Sequence, residues 1–314
     1  MKKILILLLV VLTACSNTAK VKRKTVDELA ILLKGSNADV FASEVSTAYN
    51  IFPISYADSN GDGFGDFKGI IEHLDVLNDG DPKTTTDLGI NAIWLNPISP
   101  SDSYHKYDVK DYYAVDPQFG TLDDFKALVA ACKQRGIKLI LDMVFNHTAI
   151  DHPWFEKGIS GDKKYRDYYR IEAKLTNAQY PDKTGWYYTN SLAYYASFWD
   201  KMPELNAQSE AVRTELKNIL KFWMDLGVEG FRYDAAPRIY DKNEYPVGTP
   251  TMELNKQFWM EMKEYVKSVN PDIFLLAEVW LPANQAAAYA VGFDSMFNFD
   301  LASGILKTVK DGYQ

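Results

Sequence analysis

From about Tyr49 onward, short apolar runs of strand character alternate with segments of helical spacing, and that alternation admits few folds. The runs are YNIFPIS, NAIWLNP, KLILDMVFN, VEGFRYDA, IFLLAEVW and, less regularly, DSMFNFD. Between them, TLDDFKALVAACKQRG and SEAVRTELKNILKFWMDLG carry helical patterns. Thr121 is placed to cap the first of these, with Asp124 three residues on and Gly136 to end it. Strands that are apolar throughout and separated by helices imply a parallel sheet covered on both faces.

One interval breaks the rhythm. About sixty residues rich in Tyr, Trp, Asp and Lys separate Asn146 from the helix starting near Ser209, too many for a simple connection. They read as a small inserted domain. Six strand–helix units with an excursion after the third predict an α/β fold, a (β/α)8 TIM barrel with about six of its eight units present. The competing doubly wound sheet lacks support, because no G-x-G-x-x-G follows the first strand. The expected divisions are a signal at 1–15, a tether and lead-in at 16–45, barrel at 46–147, the insert at 148–206 and barrel again at 207–314.

Barrel chemistry gathers at the C-terminal ends of the strands. The third ends in DMVFNH, with Asp142, Asn146 and His147; the fourth carries Arg232 and Asp234; the fifth carries Glu278. Residues i and i+2 of a strand share a face, so Arg232 can hold Asp234 ionised. Taken alone, that pair is equally well a structural ion pair. Two carboxylates on successive strand ends suit glycoside cleavage, in which one attacks and the other protonates the leaving oxygen. The two leucines and an alanine before Glu278 suggest apolar surroundings that would keep it protonated.

The motifs DMVFNH, GFRYDAA and LLAEVW, in this order, resemble the first three signature regions of the α-amylase superfamily, glycoside hydrolase family 13. GINAIWLNPISPS, SYHKYDVKDYYAVDPQFGT and MPELN resemble three further family segments, and the likeness runs from about Tyr49 to Asp300. The resemblance implies a retaining enzyme of α-1,4-glucosidic bonds in starch or malto-oligosaccharides, with Asp234 as nucleophile and Glu278 as acid/base. It implies sugar contacts from His105, Tyr107, His147 and Arg232, and a buried supporting role for Asp142. A transglycosylase or a trehalose-synthase-like isomerase would use the same residues, and a non-catalytic starch-binding surface protein is a third expectation. Pro237 and Arg238 stand where endo-acting relatives often have Lys-His, and Glu204 stands where the family usually has Asp. The family's fourth region, with a third carboxylate, would lie beyond Gln314; the expectation is a piece of a longer enzyme, inactive by itself.

The stretch DSNGDGFGD places oxygen-bearing side chains at spacings like those of a calcium loop, with Gly63 at the sixth position. Gly69 occupies the twelfth, where an EF-hand needs Glu, so a Ca²⁺ loop of another frame is expected. Its ligands would be Asp58, Asn60, Asp62, the Phe64 carbonyl and Asp66; an Asx-rich turn without metal is the alternative. At the N-terminus, two lysines and a short apolar run precede LTAC, which resembles a bacterial lipobox with Cys15 as the lipidated residue. An ordinary signal cut nearby is the alternative. A lipid anchor at Cys15 would place the protein in the bacterial cell envelope, facing outward from a membrane. The net charge of −8 argues against a nucleic-acid partner.

Overall fold

A computed structural model describes residues 45–311 apart from Asp182 and Asn190. Cys15 and the signal and tether segments lie outside the described residues. Strands β1 (Ala48–Ile51), β2 (Ala92–Leu95) and β3 (Lys138–Met143) run parallel, followed by a small antiparallel sheet of β4 (Ile171–Glu172), β5 (Trp186–Thr189) and β6 (Leu192–Tyr195). The parallel sheet resumes with β7 (Gly230–Tyr233), β8 (Phe274–Ala277) and β9 (Ser295–Met296), in the order β1-β2-β3-β7-β8-β9. This is a (β/α)8 barrel architecture with six strands described, and the antiparallel sheet sits in the excursion after the third.

Local chemistry sets where the elements stop. β1 ends at Ile51 because Pro53, which has no N–H to donate, opens a 3-10 turn. The run DSMFNFD yields only two strand residues before a helix begins at Phe299. Helix α1 (Phe67–Glu72) is capped by Asp66, and α2 (Leu74–Leu77) follows it. Helix α3 (Leu122–Gln134) has the Thr121/Asp124 capping box that the sequence suggests. Its C-cap is Arg135 rather than Gly136, which follows at φ 69°, a left-handed conformation that glycine adopts without steric cost.

The inserted segment carries α4 (Pro153–Ile159) and α5 (Lys163–Arg166) ahead of its sheet. The long helices α6 (Glu210–Asp225) and α7 (Thr251–Val269) then cover the parallel sheet. Their inward stripes bring Trp223 and Trp259 to 1% exposure, against Phe125 and Tyr233 respectively. Truncating either tryptophan to alanine costs roughly 3–5 kcal/mol by the usual cavity penalty. All four residues of β7 are buried, as expected of a strand packed on both faces. That burial fixes the position of what lies at its C-terminal end.

Candidate active site

The register of the sheet assembles the site. Asp142 on β3 lies beside Arg232 on β7, and Arg232 lies beside Leu276 on β8. One residue past β7, Asp234 donates its N–H to Met143 O; one residue past β8, Glu278 donates its N–H to Tyr233 O. Three carboxylates from three neighbouring strands therefore converge on one guanidinium. Arg232 Nη1 donates to Asp142 Oδ1 at 2.7 Å and to Asp234 Oδ1 at 2.8 Å, and its Nη2 lies 3.0 Å from Glu278 Oε2. The guanidinium also lies 5.0 Å from the Trp94 ring and 5.9 Å from the Phe297 ring, whose faces favour a cation.

Hydrogen bonding separates the roles of the three acids. The Asp142 side chain is fully buried and also accepts from Trp94 Nε1 at 3.2 Å and Tyr107 Oη at 3.0 Å. It is thereby committed to holding its neighbours. The side chains of Asp234 and Glu278 retain 13% and 21% exposure, so an incoming molecule can reach them. Glu278 Oε2 also accepts the Ala235 N–H at 3.0 Å. Ala235 adopts φ 44°, a left-handed conformation costly for a side chain with Cβ, held where the chain turns between the two acids.

Two electrostatic expectations need correction. Arg232 is shared, and it does not by itself secure an ionised Asp234. Burial first, and then the neighbouring Asp142, push the Asp234 carboxyl up to about 7 against the pull of Arg232. Asp142 rises to about 6 through burial, again opposed by Arg232. The surroundings of Glu278 are not solely apolar: it meets Arg232 and the Ala235 amide, with one side open to a cavity that Phe198 and Trp280 help to wall. The apolar residues before it are strand neighbours in sequence, whereas the cation comes from the adjacent strand.

The expected sugar contacts fall into two groups. Tyr107 joins the acid cluster directly, its hydroxyl also accepting from Asn96 Nδ2 at 3.3 Å. The next residue back, Lys106, is buried at φ 65° and held by Asp116 and Gln118, each 2.8 Å from Nζ, which fixes the loop. His105 is half exposed, and its Nδ1 accepts the Tyr107 N–H at 3.0 Å. His147 is only 2% exposed, with Nε2 3.1 Å from the Tyr107 carbonyl and Nδ1 3.3 Å from Asn146 Nδ2. Burial pulls its pKa down to about 4, so at neutral pH it is an uncharged prop for the Tyr107 loop. Trp94, Asn96 and Phe297 are site residues that the sequence reading passed over. The first two stand two apart at the end of β2, the same spacing that marked Arg232 and Asp234.

The loop at 58–66 is a chain of Asx turns. Asp58 accepts from the N–H groups of Asn60, Gly61 and Gly63, Asn60 from Asp62, and Asp62 from Phe64. Asp66 is buried, accepting from Ser59 and from Gly69 N at the start of α1. The donors are the hard oxygens that suit Ca²⁺. Among the described residues, however, no three acidic, histidine or cysteine side chains are gathered as a metal-holding group.

A cavity of about 710 Å³ opens on the Glu278 side of the cluster, with Phe198, Arg238, Asp241 and Trp280 in its wall. Paired Asp and Glu at neighbouring strand ends, bridged by a buried arginine, define a carboxylate-pair site of the glycosidase type on a barrel fold. Residues 50–312 match the alpha amylase catalytic domain model, and the chain belongs to the α-amylase family, glycoside hydrolase family 13. It is 42% identical over 264 residues to Alpha-amylase 3 of Dictyoglomus thermophilum, covering 83% of this chain and 48% of that protein. It is 40% identical over 217 residues to an oligo-1,6-glucosidase of Parageobacillus thermoglucosidasius, covering 65% and 37%. The crystal structure of an alpha-amylase from H. orenii superposes with TM-score 0.77 at 44% identity, covering 85% of this chain and 54% of that one. The chain thus spans 48% and 54% of the length of the two alpha-amylases and 37% of the oligo-1,6-glucosidase.

Proposed function

We propose that this chain carries the active-site core of a retaining enzyme that cleaves α-1,4-glucosidic bonds of starch or malto-oligosaccharides. The observation behind this reading is that Asp234 and Glu278, the two reachable acids, are bound to the two terminal nitrogens of one guanidinium. That favours the compact carboxylate spacing of direct attack, about 5–5.5 Å, over the wider gap that admits a water between them. In the first step an Asp234 oxygen bonds to the anomeric carbon. The glycosidic C–O bond breaks, its electron pair goes to the leaving oxygen, and that oxygen takes a proton from Glu278. In the second step water or a sugar hydroxyl attacks the same carbon, gives its proton to Glu278 and frees Asp234 as carboxylate. Arg232 offsets the charge that returns to Asp234, and Asp142 with Tyr107 and Trp94 holds Arg232 in place. Transfer to a sugar instead of water is the second reading, favoured by the cavity beside Glu278, which has room for an acceptor.

The test is proton NMR of the first product released from maltoheptaose. An α-anomer supports the retaining mechanism; a β-anomer overturns it. Two accessory proposals accompany this reading. The 58–66 loop holds Ca²⁺ through Asp58, Asn60, Asp62, the Phe64 carbonyl and Asp66, its hard-oxygen donors supporting the assignment. Cys15 carries a lipid that tethers the protein to a membrane of the bacterial envelope. Cys15→Ser should release it into the soluble fraction, and a membrane-bound variant that resists high salt would refute the anchor.

A further inference from the structure

The cavity beside Glu278 has a charge arrangement that the catalytic step does not require. If Glu278 protonates the leaving oxygen, as proposed above, the leaving sugar occupies this cavity. Two cations line it, Arg238 and Lys242, together with Asp241 and the acid/base Glu278, and the charge of Arg238 is cancelled by the Asp241 carboxylate beside it. Asp241 is 4% exposed and held from two further directions: Tyr195 Oη donates to its Oδ1 at 2.9 Å from the inserted sheet, and the Asn243 N–H donates at 2.8 Å. Its other oxygen accepts from Arg238 Nη1, fixing the guanidinium 5.8 Å from the Phe198 ring. The Arg238 side chain remains 49% exposed, so the rest of its five-donor fork is left for the cavity. Trp280, also in the cavity wall, is 73% exposed and stacks on Phe299 at 4.4 Å and 15°, which leaves its second face for the apolar side of a pyranose.

We propose that Asp241 is a specificity-determining positioning residue: by pinning Arg238 and cancelling its charge, it selects neutral sugars over phosphorylated ones on the leaving-group side. With Asp241 present, Arg238 donates to hydroxyls without presenting an uncompensated charge. Without it, Arg238 and Lys242 outweigh Glu278, and a phosphate becomes the better partner.

The probes are maltose and maltose bearing a 6-phosphate on its reducing glucose, assayed with the full chain and compared as a ratio of kcat/KM. Asp241→Asn should shift that ratio toward the phosphorylated sugar by at least tenfold, chiefly through KM and more at low salt. Asp241→Glu should restore the wild-type preference. Arg238→Ala, at a half-exposed position, should shift the ratio the other way. Binding of both sugars to an Asp234→Asn background, read by tryptophan fluorescence, follows the cavity without catalysis. A wild-type protein that binds maltose selectively but never cleaves it would overturn the proposed function and leave the selectivity standing. A ratio unmoved within twofold by both variants, or a wild type that prefers the phosphorylated sugar, would overturn the role of Asp241.

Discussion

Arg232 Nη1 reaches Asp234 Oδ1 at 2.8 Å, and the same nitrogen reaches Asp142 Oδ1 at 2.7 Å. One donor thus ties Asp234, the proposed nucleophile, to Asp142, while Nη2 holds Glu278. A lysine would keep the charge but not the planar fork that spans three carboxylates. Arg232→Lys should therefore lower kcat on maltoheptaose at least a hundredfold. A rate near wild type would show that the guanidinium does not organise the acids.

Asp234→Asn removes the proposed nucleophile but little volume. Loss of a covalent catalyst reduces rate by several orders of magnitude. Oligosaccharide affinity, measured by calorimetry, should stay within a few-fold of wild type, because Tyr107 and the cavity wall are untouched. Retained turnover would move the nucleophile to another residue.

The pH dependence follows from burial. Asp234 is pushed up to about 7 by burial first and by Asp142 next. In the proposed mechanism Asp234 attacks only as carboxylate, so kcat/KM should rise with pH through an acid limb near neutrality. The stability contribution runs oppositely: this raised carboxyl favours the folded state below the ordinary Asp range, and that contribution is lost as pH rises toward 7. Asp142→Asn removes the negative neighbour and should move the acid limb to lower pH, whatever it does to absolute rate. An unmoved limb would disprove the coupling.

The sequence made this much of the site visible because a strand's period of two is local. Arg232 and Asp234 are adjacent on one face whatever the rest of the chain does. The surroundings of Glu278 were hidden, since its cation arrives across the sheet from β7, beside Leu276. Trp94 was masked by its own apolar run, which reads equally as core, although its Nε1 turns to Asp142. The Asp241 anchor was out of reach altogether: Tyr195 comes to it from 46 residues away, through the inserted sheet. Pairing within an element is legible in sequence; pairing between elements depends on register.

The 58–66 loop gives a prediction about metal. Calcium that binds only the folded protein raises its stability by about 2.7 kcal/mol at a hundredfold excess over Kd. Chelation should therefore lower Tm, and Asp58→Ala, which removes the acceptor of three loop N–H groups, should abolish the chelator effect. A Tm indifferent to chelator, with no calcium found by elemental analysis, would leave the loop a plain Asx turn.

Glu204 offers the sharpest stability test. It is 1% exposed, its Oε1 accepts the Ser197 N–H at 2.9 Å, and its Oε2 has no hydrogen-bond partner. Burial pushes its carboxyl up to about 7. The folded protein therefore binds a proton that the unfolded chain has already released between about pH 4.5 and 7. The stabilising contribution is complete below the ordinary Glu range and is lost as pH rises through about 7, a difference of about 3 kcal/mol. Glutamine keeps the shape and replaces the unpartnered oxygen by a neutral donor. Glu204→Gln should accordingly melt a few degrees above wild type at pH 8 and at nearly the same temperature at pH 5. Equal Tm differences at both pH values would mean that Glu204 carries no buried charge in the folded protein.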